Sequence, residues 1–116
     1  ALVQQGDYTY RSGLAAAEKL LRHRRPPTAI FASNDDMGAA VISVAHRRGL
    51  DVPRDLSVVG FDDSLLSQTH RPAITTVRQD IIGLGVAAAE TMIGLLQDHE
   101  PKIDVLATEI MIRETA

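Results

Sequence analysis

Thr28-Ala29-Ile30-Phe31-Ala32-Ser33-Asn34-Asp35-Asp36 is a mostly apolar run that ends abruptly in an amide and two carboxylates. A second run repeats the design, with Leu56-Ser57-Val58-Val59-Gly60-Phe61 leading into Asp62-Asp63. Neither run alternates polar with apolar residues, so each predicts a strand covered on both faces, as in a parallel sheet. The runs begin 28 residues apart, close to the roughly 30 residues of a right-handed βαβ unit. Ligands of such sheets bind at the carboxyl edge, where loops and helix N-termini converge. An amide and carboxylates at two strand ends can therefore meet one polar ligand from two sides.

The rest of the chain reads outward from this pair. Ala1 to Gln5 predicts a short strand closed by Gly6-Asp7. A helix then begins near Thr9 to Ser12, turns Leu14, Ala17 and Leu21 inward, and is stopped by Pro26-Pro27. Asn34 or Asp35 caps the next helix, whose apolar set is Met37, Ala40, Val41, Val44 and Ala45, with Gly49 at its C′ position. Ser64 to Pro72 is polar and reads as a loop, Ile74 to Val77 as a short strand. A long helix carries Ile82, Val86, Ala89, Ile93 and Leu96 on one side and stops at Glu100-Pro101-Lys102; Val105 to Ile112 reads as a last strand. Phe31 and Phe61, inside the two leading strands, are expected in the core.

With 116 residues the chain can bury roughly two-thirds of its unfolded surface in one small domain. Twelve Lys and Arg against fifteen Asp and Glu give a net charge of −3, whereas a dedicated nucleic-acid surface carries a basic excess. The lack of cysteine excludes disulfides and thiolate metal sites and permits a reducing compartment. No segment approaches the roughly 20 apolar residues of a membrane span. The opening residues read like the interior of a strand and lack an initiator methionine; the chain is expected to be a piece of something larger.

Several patterns have plainer readings than function. Asn34, Asp35 and Asp36 suit a helix N-terminus by capping and by charge. The basic clusters Arg22 to Arg25 and His46 to Arg48 fall at helix C-termini, where cations offset the dipole. Histidines 23, 46, 70 and 99 have no spacing suited to a metal. Gly83-Leu84-Gly85-Val86-Ala87-Ala88 fits a dinucleotide-binding pattern, but its glycines lie inside a helical pattern, not in a strand-to-helix turn. Adjacent carboxylates cannot both face one substrate as a glycosidase pair does, and no serine sits in a nucleophile elbow. The chain is therefore expected not to be an enzyme, and to need neither cofactor nor metal. Tyr8, after the first strand, can stack on the C–H face of a sugar while Asp and Asn take its hydroxyls.

Pro27 to Met37, Val52 to Asp63 and Ile74-Thr75-Thr76-Val77-Arg78-Gln79, with Gly6-Asp7-Tyr8 and Ser12-Gly13 upstream, strongly resemble the LacI/GalR family of bacterial transcriptional repressors. The resemblance spans essentially all 116 residues. It implies the C-terminal part of the effector-binding core, an α/β fold of periplasmic-binding-protein type: a three-layer, mainly parallel sheet flanked by helices, here incomplete. Residues 1–72 would belong to the C-terminal subdomain, 73–106 to the N-terminal one, and 107–116 to a strand returning to the first. The resemblance also implies that Tyr8 stacks on the effector, that Asn34 and Asp62 hydrogen-bond it, and that Asp35 caps the helix and supports these contacts from behind. It places a homodimer interface at Ala39, Ser43, Leu66 and His70.

The helix-turn-helix and the first half of the core of such repressors are absent from these residues. Operator DNA would be reached only through that missing part, the effector is expected to be a sugar, and the compartment to be the cytoplasm without membrane attachment. The long helix around Val86 to Leu96 would lack the sheet it covers, so self-association or origin as a fragment is expected. A solute-binding protein of a transporter shares the fold and stands as the alternative, with an α/β enzyme third.

Overall fold

The computed structural model describes residues 2–101 and 105–116. Ala1 of the expected first strand and Lys102 of the expected helix stop lie outside the described residues. The elements are α1 (Tyr10–Leu21), β1 (Ala29–Phe31), α2 (Asp35–Arg47), β2 (Ser57–Phe61), α3 (Leu65–Thr69), β3 (Thr75–Gln79), α4 (Ile81–Leu96) and β4 (Thr108–Met111). They form two units, one running through Arg78 and resuming at Ile110–Ala116, the other Gln79–Glu109.

The sheet order is β1-β2-β3-β4. β1, β2 and β3 are parallel, with Ala29 level with Ser57, Phe31 with Val59, and Phe61 with Val77. The 28-residue spacing read from the sequence is thus the register offset of β1 and β2. After β4, Arg113 N–H donates to Thr75 Oγ1 at 2.9 Å and Glu114 N–H to the Ala73 carbonyl at 3.0 Å. The returning chain therefore runs antiparallel to β3, and the sheet is mixed. This is the α/β architecture expected, a sheet flanked by helices.

The core of the first unit lies between α2 and the sheet. Ile42, Val44, Leu56, Val58 and Ile74 are fully buried there, and Ala17 and Leu21 of α1 join the same cluster. Helix ends follow their signals. Thr9 caps α1, its side chain accepting from Ser12 N–H. At the end of α2, Gly49 takes φ 73 while Gly49 N–H and Leu50 N–H bond back to His46 and Ala45 carbonyls at 3.0 Å, the two bonds of a Schellman ending.

Four expectations change. Residues 2–5 are not a strand, because a strand exists through ladder partners and these residues have none among the described residues; Leu2 and Val3 are exposed. Ser64 to Pro72 contains the short helix α3. The last strand is Thr108–Met111, shorter than Val105 to Ile112. Phe31 is 64% exposed and not core: strand alternation puts Ile30 against α2 and Phe31 on the other face, edge-on to Phe61 at 6.4 Å. The ladder to β2 runs through Val77, and the first unit extends through Arg78 and resumes at Ile110.

In the second unit Asp80 caps α4, its Oδ1 accepting from Gly83 N–H at 2.8 Å. No residue of α4 is buried; Ile82 and Leu96 are among its most exposed.

Candidate ligand-binding site

α2 begins where β1 ends, and Asn34 joins them. Its backbone is extended and its Oδ1 accepts from Met37 N–H at 2.9 Å, which makes Asn34 the cap. Asp35, expected to cap the helix or to support the contacts from behind, is not the cap. It is 1% exposed, its Oδ2 accepts from Ser64 N–H at 2.7 Å and Ser64 Oγ at 2.8 Å, and its Oδ1 accepts from Thr76 Oγ1 at 2.6 Å. A buried carboxylate is tolerable only when hydrogen-bonded; here the bonds brace the turn after β2 and the strand β3. Gly60 makes room for this, since a Cβ there would collide with Asp35 Oδ1.

The other side of Asn34 reaches the loop before α1. Its Nδ2 donates to the Tyr8 carbonyl at 2.8 Å. Tyr8 sits at φ 65, a left-handed conformation uncommon outside glycine, with its side chain 68% exposed. Asp7 fixes the loop: its Oδ1 accepts from Thr9 N–H at 3.1 Å and Thr9 Oγ1 at 2.6 Å. Hydrogen bonding from Ser12 and then Thr9 pulls the Asp7 carboxyl down to about 2.

Asp62 lies at the exit of β2, at φ 101, with its N–H donating to the Val77 carbonyl at 2.9 Å. Continuing the β1–β2 offset past Phe31 and Val59 sets Asn34 level with Asp62. Three predicted contact residues thus share one edge of the first unit, with Tyr8 and Asn34 directly bonded. Four described non-glycine residues have positive φ, and Tyr8, Asp62 and Asp63 are three of them. Backbone outliers of this kind persist where surrounding structure holds them, and they cluster at functional sites.

Asp63 carried no assignment from the sequence. Its carboxylate is 5% exposed and ion-paired to Arg113 Nη2 through Oδ1 and to Arg78 Nε at 2.6 Å through Oδ2. Burial pushes this carboxyl up, and the hydrogen bonds from Arg113 and Arg78 outweigh it, leaving it below the ordinary value. Both arginines lie far along the chain, so no local signal marks the partnership.

The remaining expectations fall unevenly. Ala39 is 2% exposed and packed in the core, so it offers no side-chain surface to a partner and drops out of the expected interface. Ser43 accepts from Tyr10 OH at 2.8 Å, Leu66 packs against the core, and His70 Nδ1 meets the Pro72 carbonyl at 3.0 Å. Leu65, which the sequence reading passed over, is 75% exposed. The basic clusters converge on an acid: Arg22, Arg47 and Arg48 reach Glu18 at 3.4, 3.5 and 2.8 Å. Hydrogen bonding from Arg48 leads the causes that hold the Glu18 carboxyl low. Among the described residues no group of His, Asp and Glu is arranged to hold a metal ion, and no helix is long and apolar enough to cross a membrane. A groove of about 450 Å³ between Leu2–Gln4, α1 and β1 is lined mostly by apolar side chains and lacks the carboxylates of the strand exits.

Parallel strands with polar groups at their carboxyl edge are the sheet type at whose edge ligands bind in α/β folds, and residues 2–116 match the periplasmic binding protein-like domain family, to which the chain belongs. Its relatives are regulators of LacI type. The probable HTH-type transcriptional repressor ExuR of Bacillus subtilis is 38% identical over 96% of this chain and 34% of its own length. The catabolite control protein A of Priestia megaterium is 48% identical over 74% of the chain and 26% of its own. Among solved structures, a transcriptional regulator CelR–cellobiose complex superposes with TM-score 0.90 at 37% identity, covering 96% of this chain and 35% of that one. The Lac repressor dimer bound to operator and the anti-inducer ONPF gives TM-score 0.87 at 31% identity, covering 95% and 39%. The resemblance to LacI/GalR repressors therefore holds, and these relatives are named as regulators, not enzymes. The chain spans about a third of the length of the ExuR and CelR relatives it matches.

Proposed function

We propose that this chain is the effector-sensing region of a LacI-type transcriptional regulator, that its effector is a sugar, and that Tyr8, Asn34 and Asp62 hold it. The observation that carries the reading is the gathering of left-handed Tyr8 and Asp62 on one edge with Asn34 bonded to Tyr8. The two bonds of the Asn34 amide use one of its two N–H donors and one of its two lone pairs, so the amide keeps capacity to donate and to accept. An exposed ring beside an amide and a carboxylate suits a molecule with an apolar face and a rim of hydroxyls. Cellobiose in the CelR complex, a relative 37% identical, supports the sugar class.

In this reading the first unit belongs to the C-terminal subdomain of the core and the second to the N-terminal one. Dimers form through Ser43, Leu65, Leu66 and His70, operator DNA is contacted by residues outside this chain, and the protein works in the cytoplasm. Effector acts by binding two states of the regulator with different affinity, since equal affinity shifts nothing.

The test uses the complete regulator. Melting is followed with cellobiose, glucose, galactose and ribose, and calorimetry then compares wild type with Asp62→Ala using whichever of these raises the melting temperature. Hydrogen bonds to a charged group contribute about 1.5–3 kcal/mol each, so affinity should fall at least roughly tenfold. Unchanged affinity would remove Asp62 from the site.

A further inference from the structure

We propose that Asp63 is the positioning residue of this site: clamped by Arg78 and Arg113, it fixes the turn that presents Asp62 and ties that turn to both segments linking the two units. The proposal rests on the reading of Asp62 as a ligand contact. Its structural half stands independently.

Each part of the clamp is itself held. Arg113 is 16% exposed; its Nη1 donates to the Ile74 carbonyl at 2.8 Å and Ser67 Oγ at 3.1 Å, and its backbone N–H to Thr75 Oγ1 at 2.9 Å. A guanidinium fixed from several sides, presenting a rigid fork, positions a carboxylate in a way a flexible ammonium does not. Arg78 is the last residue of the first unit before the chain passes into Gln79–Glu109, and Arg113 follows the return at Ile110. One buried carboxylate therefore fastens the departing and the returning segment.

The turn needs such a fastening. Asp62 and Asp63 are consecutive left-handed residues, at φ 101 and φ 50, and neither is a glycine. That backbone endures only where the surroundings over-determine it. The surroundings here are the ion pairs of Asp63 on one side and the Ser64–Asp35 bonds on the other. Movement of Asp62 on a bound ligand is then transmitted to Asp63, and through it to Arg78 and Arg113. A buried ion pair is by itself weak ground for claiming added stability; its geometry says more about where it holds the backbone.

Hydrogen exchange by mass spectrometry on the complete regulator, without sugar, tests the clamp. Asp63→Asn keeps the shape and removes the charge; Arg113→Lys keeps the charge and removes the fork. Both should speed exchange at least tenfold in peptides over Phe61–Ser64 and Thr76–Arg78, while peptides over α2 exchange as in wild type. Asp63→Asn should also weaken binding of the panel sugar that raised the melting temperature, although Asp62 is intact. Wild-type exchange at the turn overturns the proposal, and so does acceleration spread equally into α2, which marks general destabilisation. If the turn loosens in Asp63→Asn but Asp62→Ala leaves sugar affinity unchanged, the clamp stands and the sugar assignment of Asp62 falls.

Discussion

Asp35 and Asp63 are carboxylates in nearly closed surroundings, and they are compensated in different ways. Asp35 takes three neutral donors from Ser64 and Thr76, Asp63 two guanidiniums. Asp35 also explains Gly60, because any side chain there enters the space its Oδ1 occupies. Gly60→Ala should therefore lower unfolding free energy by about 1–3 kcal/mol, the usual range for overpacking, in chemical denaturation. Asp63 gives a pH signature. Its folded carboxyl lies below the ordinary aspartate value, so its stabilising contribution is complete above that ordinary value and disappears as pH falls through the lower folded one. As pH falls below the ordinary carboxylate range, wild type should lose stability more steeply than Asp63→Asn; parallel curves would show that the ion pairs carry no such linkage. The sequence reading gave roles to Asn34, Asp35 and Asp62 but none to Asp63, and it did not reach the partners of either buried carboxylate. Capping is a local property, whereas Arg113 lies 50 positions from Asp63 and Thr76 lies 41 from Asp35.

Elements show the same division between local and distant causes. The start of α1 at Thr9, the cap of α2 at Asn34 and the stop at Gly49 were legible because each depends on a few neighbouring residues. Residues 2–5 were misread because alternation and apolarity describe what a strand needs on its faces and say nothing about an edge partner. α3 was missed because its five residues Leu65–Thr69 are too few to show a period, and Phe31 because a core strand and an edge strand share one composition. The ending of α2 supplies a prediction. Gly49 has φ 73, and an L side chain in that region costs about 1–2 kcal/mol, so Gly49→Ala should lower stability by that order. Space is not the obstacle, since a Cβ there meets nothing within 4 Å. A thermal melt unchanged by Gly49→Ala would contradict the left-handed ending.

At the scale of the molecule, the two units differ in how they satisfy the hydrophobic effect. The first has a core around Ile42, Leu56 and Ile74, whereas α4 leaves Ile81, Ile82, Leu84, Met92, Ile93 and Leu96 in solvent. An apolar patch of that extent favours association. The 116-residue chain on its own should sediment as oligomers whose size rises with concentration, and Ile82→Glu with Leu96→Glu should shift it toward monomer. Monodisperse monomer at every concentration would show that α4 does not drive association. Thr115 meanwhile joins what the chain makes early to what it makes late. Its Oγ1 donates to the Val58 carbonyl at 2.6 Å and accepts from Thr75 N–H at 2.9 Å, across separations of 57 and 40 positions, while its carbonyl takes Val58 N–H at 2.8 Å. Contacts this distant in sequence slow folding, because long loops must close before they form. On the ribosome, β1, β2 and β3 emerge well before Thr115, and the whole of Gln79–Glu109 is synthesised in between. The sheet of the first unit therefore waits with the base of its β2–β3 seam open, and the last stitch is made only after the second unit has left the exit tunnel.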